Sequence, residues 1–139
     1  MPSNFLHAAF IRSVDRDRRE VRVEVPPYTD GADILPLAEV MYPIGDDSTN
    51  TEIRLVVGAP IYVAFEAGDP RYPIIMGFRN PNVGNVVGMR RWNHDNFELN
   101  ADETLTINAG TQIKLAVGGS TLTITGAEIA AIAGTIKLN

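Results

Sequence analysis

Residues 104–139, TLTINAGTQIKLAVGGSTLTITGAEIAAIAGTIKLN, constrain this chain more than any other stretch. Apolar and polar residues alternate there in short bursts: Leu105 and Ile107, then Ile113, Leu115 and Val117, then Leu122 and Ile124, then Ile136 and Leu138. That is the period of a β-strand. Turn formers separate the bursts at Asn108-Ala109-Gly110, Gly118-Gly119-Ser120, Gly126 and Gly134, so strands recur about every seven to nine residues and leave no room for helices. A repeat this short predicts one wall of a solenoid.

One chain cannot complete such a body, because a single-chain β-helix spends on the order of 20 residues per coil and needs several coils to bury a core. The stretch carries only Lys114, Glu128 and Lys137 as charges, with no proline and no aromatic residue. Such a composition aggregates unless every strand edge is paired. Three copies about a common axis meet both demands, with apolar side chains on the axis and edges paired between chains. The residues expected on that axis are Leu105, Ile107, Ile113, Leu115, Val117, Leu122, Ile124, Ile129, Ile136 and Leu138.

Composition divides the chain. All ten arginines lie at or before Arg91 and all nine prolines at or before Pro81, whereas both lysines come later. The predicted organisation is therefore a globular domain over 1–80, a connector over 81–95 rich in Asn and Gly, and a rod-like three-chain β-prism over 96–139. Trp92 and Phe97, the last aromatic residues, are expected to pack where the two parts meet. With a formal charge of −5, the chain lacks the cationic surface that phosphate binding requires, so no nucleic-acid partner is expected. It has no cysteine, which removes disulfides and thiolate metal sites. No run of 18 apolar residues and no basic n-region with an apolar h-region occurs, and a soluble protein without a secretion signal is expected.

The first 80 residues read as short strands. Asn4 to Val14 is apolar on both faces, Glu20 to Val25 alternates Val with charge, and the pair makes a hairpin around Asp15-Arg16-Asp17-Arg18. Ile34 to Tyr42 gives a third extended piece with a proline, and Glu52 to Val57 a short strand leading out of the loop PIGDDSTNT. A second hairpin follows, PIYVAFE and YPIIMGF about Ala67-Gly68-Asp69-Pro70-Arg71. Short strands without helices predict a small all-β barrel.

Candidate chemical sites are few. His7 sits on an apolar strand and reads as a core or interface histidine, since ligands come in groups. Asp46, Asp47 and Glu52 lie in a polar loop, where adjacent solvated carboxylates acquire no useful separation of pKa. Arg12, Arg16, Arg18, Arg19 and Arg22 interleave with Asp15, Asp17, Glu20 and Glu24 and read as a salt-bridged ribbon with no stacking aromatic beside it. Arg90 and Arg91 fit either a neighbouring acidic surface or water. Two histidines do not assemble a nucleophilic triad, so no enzyme, no catalytic residue, no metal and no cofactor are expected.

The stretch GAPIYVAFEAGDPRYPIIMGF, followed by the Gly-punctuated alternating C-terminus, resembles the baseplate assembly protein V family, the central spikes of contractile phage tails, and their type VI secretion relatives. The resemblance rests on Ile61 to Phe65, Gly68 to Pro70 and Pro73 to Gly77. It implies an N-terminal oligosaccharide/oligonucleotide-binding (OB) barrel followed by an intertwined trimeric β-helix, or β-prism. It also implies a mechanical role in the virion's tail baseplate, under the tail tube, where the homotrimer pierces the host outer membrane on sheath contraction. The implied partners are a baseplate hub at the barrel end and the membrane itself. Several family members hold an iron ion with a His-x-His tip element, which this sequence lacks, so the metal is not carried over. The sequence stops in mid-repeat at Ile136-Lys137-Leu138-Asn139, and a separate tip protein of the proline-alanine-alanine-arginine (PAAR) repeat type is expected to cover it. The other function open to such a chain is an OB-fold trimer that binds a glycan or protein.

Overall fold

The computed structural model describes residues 5–45 and 47–139, all-β apart from one 3₁₀ turn. The chain forms two compact units, Met1–Asp95 and Asn96–Asn139.

The first unit is a closed barrel of five strands: β1 (His7–Asp15), β2 (Glu20–Glu24), β3 (Leu37–Val40), β4 (Pro60–Phe65) and β5 (Pro73–Phe78). Their order around the barrel is β1-β2-β3-β5-β4, and β4 returns to pair antiparallel with β1. The run β4-β1-β2-β3 is a Greek key, and β5 closes it by pairing parallel with β3 and antiparallel with β4. Alternate residues fill the inside, as a strand's two-residue period requires: Ala9 and Ile11 from β1, Val21 and Val23 from β2, Ile61, Val63 and Phe65 from β4, Ile75 from β5. Val25 just past β2 completes this core. Register slips beside Arg12 and again opposite Tyr62 and Val63; such bulges bend strands enough for so few to close. Thr29, the one buried polar residue among those described, is satisfied locally: its hydroxyl accepts from Val25 N–H and its own N–H donates to the Val25 carbonyl.

The hairpin from β4 to β5 passes through the 3₁₀ turn Glu66–Gly68, where Ala67 and Gly68 both take positive φ. Asp69 then ties the turn down by accepting from Arg71 N–H and from its guanidinium. The expected strand over residues 52–57 does not form. Residues 51–56 keep the burial alternation of a strand, with Thr51, Ile53 and Leu55 half-buried, but no ladder includes them.

The second unit is a three-stranded antiparallel meander, β6 (Gln112–Val117), β7 (Ser120–Thr125) and β8 (Ile129–Ile132). Gly118 supplies the positive φ, 55°, that the first central position of the tight β6–β7 turn demands. Leu105, Ile107, Ile136 and Leu138 alternate like strand residues but lie outside any strand. Within this unit the ladders run between consecutive strands.

Candidate functional site

Two places stand out, a charged cluster on the barrel and the apolar face of the second unit's sheet. The cluster joins three segments distant in sequence. Arg16, at the tip of the β1–β2 hairpin, forks onto Glu52 with Nη2 2.7 Å from Oε1 and Nε 3.1 Å from Oε2. The same Nη2 donates to Asp95 Oδ2 at 2.9 Å. Such a planar, bidentate contact is what guanidinium geometry provides and a lysine could not. Arg19 at the same tip donates to the Ser48 carbonyl at 2.6 Å, so the hairpin holds the long β3–β4 connection at two points.

His94 completes the cluster. Its Nδ1 accepts from Asp95 N–H at 2.8 Å, which places the ring proton of the neutral form on Nε2. That nitrogen lies 3.1 Å from Glu52 Oε1, an ion-pair distance, but is not aligned as a hydrogen bond. Donation from Arg16 holds the Glu52 and Asp95 carboxyls below their ordinary range, and the two carboxylates push the Arg16 guanidinium up in turn. All three side chains remain well exposed, so solvent screens them and the network positions segments more than it stabilises the fold.

Beside the cluster lies a cavity of about 950 Å³. Val14, Val21, Val40 and Leu55 belong to its apolar walls, and Tyr42 spans it by donating to the Thr51 carbonyl while accepting from Ile53 N–H. Acid/base chemistry needs neighbouring groups whose pKa values are pushed apart around neutrality. Here the carboxylates are both pushed down by one guanidinium, the pattern of a structural ion pair.

The other sequence candidates are placed as follows. His7 is half-buried, stacked on Phe65 with ring centres 4.7 Å apart and edge-on to Tyr28 at 5.1 Å. Asp47 accepts from the Thr49 N–H and hydroxyl, which lowers its pKa and staples the loop; Asp46 lies outside the described residues. Among the described residues no group of three His, Asp or Glu side chains is arranged to hold a metal. The arginine ribbon is engaged with its own chain: Arg12 with Glu24 at 2.7 Å and Arg22 with the Leu35 carbonyl. One expectation is corrected here, since an aromatic does sit beside the ribbon, with Arg12 lying 5.0 Å over the Phe10 ring. Trp92 and Phe97 are 70% and 59% exposed within the single chain.

The second unit holds the more decisive surface. Cross-strand partners share a sheet face, and the ladders pair Ile113 with Ile124, Leu115 with Leu122, Ile124 with Ile129 and Leu122 with Ala131. With Val117 these make one continuous apolar face. Opposite lie Gln112, Lys114, Thr121, Thr123 and Thr125, with Ala116, Ala130 and Ile132. Not one residue of 96–139 is buried, and Val117, Ile129 and Leu115 are largely exposed. Six of the ten residues expected on an axis, Ile113, Leu115, Val117, Leu122, Ile124 and Ile129, thus fall on one face. Leu105, Ile107, Ile136 and Leu138 are exposed but outside the sheet. The cluster of Arg16, Glu52, His94 and Asp95 is what sequence reasoning missed. Its members are 36 and 79 positions apart, and no local pattern links them.

No protein-family model matches the chain, and no curated protein matches it in sequence.

Proposed function

We propose that this protein is a structural, membrane-piercing central spike of a contractile tail baseplate, acting as a homotrimer and not as an enzyme. In this reading the first unit is an OB barrel and the second is one wall of a three-chain β-prism. The Greek-key order with β5 closing the barrel supports the OB assignment.

The observation that carries the proposal is the apolar face of β6, β7 and β8, exposed on a unit with no buried residue. A continuous apolar face left uncovered on a three-stranded sheet marks a surface that another chain covers. Three walls turned inward bury it, each large apolar side chain contributing on the order of 1.5–3 kcal/mol. The polar, threonine-rich face then becomes the outside of the rod. The meander favours a version in which each chain supplies a whole wall, with inter-chain pairing at the free edges of β6 and β8. Ile136 and Leu138, 53% and 90% exposed, offer apolar surface to a PAAR-type tip protein. The β4–β5 wall of the barrel, PIYVAF and PIIMGF, carries no charged side chain and leaves Tyr62 and Met76 partly exposed, which suits contact with a hub. The spike would act within the virion's baseplate and meet the host outer membrane transiently.

Absolute mass in solution by light scattering, together with amide exchange of β6–β8, tests this reading. Three chains of 15.1 kDa, roughly 45 kDa, with protected tail amides are expected. A monomer whose tail exchanges freely sinks it.

A further inference from the structure

We propose that the cavity beside residues 51–56 receives residues 86–91 of a second copy of the chain, so that the barrels dock head to tail. The proposal rests on the several-copy reading above and adds to it a contact made by the barrels themselves.

The acceptor has three relevant properties. A cavity of about 950 Å³ lies at the upper end of the sizes that enclose a substantial ligand, room enough for several side chains of a peptide. One wall is the extended segment 51–56, which alternates in burial like a strand yet belongs to no ladder. Tyr42 already engages the Thr51 carbonyl and the Ile53 N–H, so an incoming segment meets this wall through its side chains. Among the described residues its rim is acidic: five carboxylates, from Asp15, Glu20, Glu39, Glu52 and Asp95, face three guanidiniums. Arg16 already binds two of those carboxylates and Asp15 accepts from Arg18 N–H, which leaves Glu20 and Glu39 on the β2–β3 side for an incoming cation.

The donor is complementary. Residues 79–94 contain three arginines and no carboxylate, in a chain whose formal charge is −5. Within that stretch Val86, Val87 and Met89 are 56%, 98% and 56% exposed, and Arg90 and Arg91 follow directly. Apolar residues leading into two cations match an apolar floor leading to an acidic rim. The segment does not line its own chain's cavity, although residues 94 and 95 do. Because donor and acceptor are different patches, the contact is heterologous, and it closes into a ring when the rotation between copies is a simple fraction of a turn. Three copies satisfy that.

The chain has no cysteine, so introduced ones have no competitors. Chains carrying only Glu39→Cys and chains carrying only Met89→Cys, distinguished by tag size, are co-expressed in full length and oxidised. A disulfide between the two kinds of chain is expected, and none when Thr121→Cys replaces Met89→Cys. Arg90→Glu with Arg91→Glu raises the concentration at which the assembly dissociates about tenfold or more, and adding Glu20→Lys with Glu39→Lys recovers most of that loss. A trimer that shows no 39–89 cross-link and ignores the arginine reversal overturns the docking site and leaves the spike reading standing. A cross-link that forms only when both cysteines share one chain overturns it as well, since the segment then fills its own cavity. A monomeric wild-type chain overturns the spike reading and this site together.

Discussion

Leu115→Asp separates a covered sheet face from an exposed one. Leu115 faces Leu122 across the β6–β7 ladder and is 59% exposed in the single chain. If the chain acts alone, the substitution removes little and changes stability by no more than about 0.5 kcal/mol. If three copies cover the face, burying the exposed fraction contributes about 1–2 kcal/mol per chain, hence about 3–5 kcal/mol per trimer. At about 1.4 kcal/mol per decade, losing that alone weakens assembly by roughly two to four orders of magnitude. Three carboxylates brought together near an axis add desolvation and mutual repulsion, so the full effect is larger. Thr123→Asp is the control, on the opposite face and paired with Lys114, where a carboxylate is in solvent beside a cation. Light scattering over a dilution series reads the outcome: Leu115→Asp is monomeric at micromolar concentrations and Thr123→Asp keeps the wild-type mass. Acidification toward pH 3, which neutralises the introduced carboxyls, restores part of the assembly. Equal masses for the two variants across the dilution series would refute the covered-face argument.

Three other outcomes follow from the barrel. Ile11→Ala empties a fully buried position and lowers stability by about 2–5 kcal/mol, seen as a drop in urea midpoint at unchanged slope, while Ile34→Ala at a 75% exposed position leaves the midpoint in place. Arg16→Ala releases Glu52 and Asp95 together, so amide exchange accelerates around residues 52 and 95 while the core strands keep their protection. The same network sets a pH limit. Glu52 and Asp95 have folded pKa values below their unfolded ones, so their contribution is complete above about pH 4–5 and is lost as pH falls through the lowered values. Exchange near residue 52, once corrected for intrinsic rate, should therefore rise below about pH 4, with Glu52→Gln and Asp95→Asn together removing most of that dependence.

Sequence alone reveals strands whose residues alternate and whose turns have a chemical reason. Val21 and Val23 alternate with Arg22 and Glu24, and the structure buries the valines and leaves the charges outside. The β4–β5 hairpin is legible because Gly68 and Asp69 each do something a turn needs. Closure of the barrel is not legible, since the parallel contact of Glu39 and Val40 with Ile74 and Ile75 joins segments that carry no shared pattern. The Arg16 cluster is hidden for the same reason: an arginine in a ribbon of alternating charge looks solvated until the chain's return brings Glu52 and Asp95 to it. For the tail, alternation marks Ile113 to Ile124 as one face, but the same signal at Leu105, Ile107, Ile136 and Leu138 yields no strand in a single chain, because periodicity cannot supply a neighbour to pair with.

Residues 51–56 and residues 104–107 pose the same physical problem in the two units. Each has the alternation of a strand, each lacks a ladder, and each leaves apolar side chains exposed, Val56 in the first, Leu105 and Ile107 in the second. Strand formation is cooperative between neighbours, so a segment with the right pattern and no partner stays outside every sheet. In the several-copy reading proposed above, a second chain would supply a partner to both and would also cover the face of β6, β7 and β8. The two segments therefore make a joint prediction: in the assembled protein the amides of 51–56 and of 104–107 should gain protection together as concentration rises. Protection of the tail segment alone would confine the inter-chain contacts to the rod and leave the barrels independent.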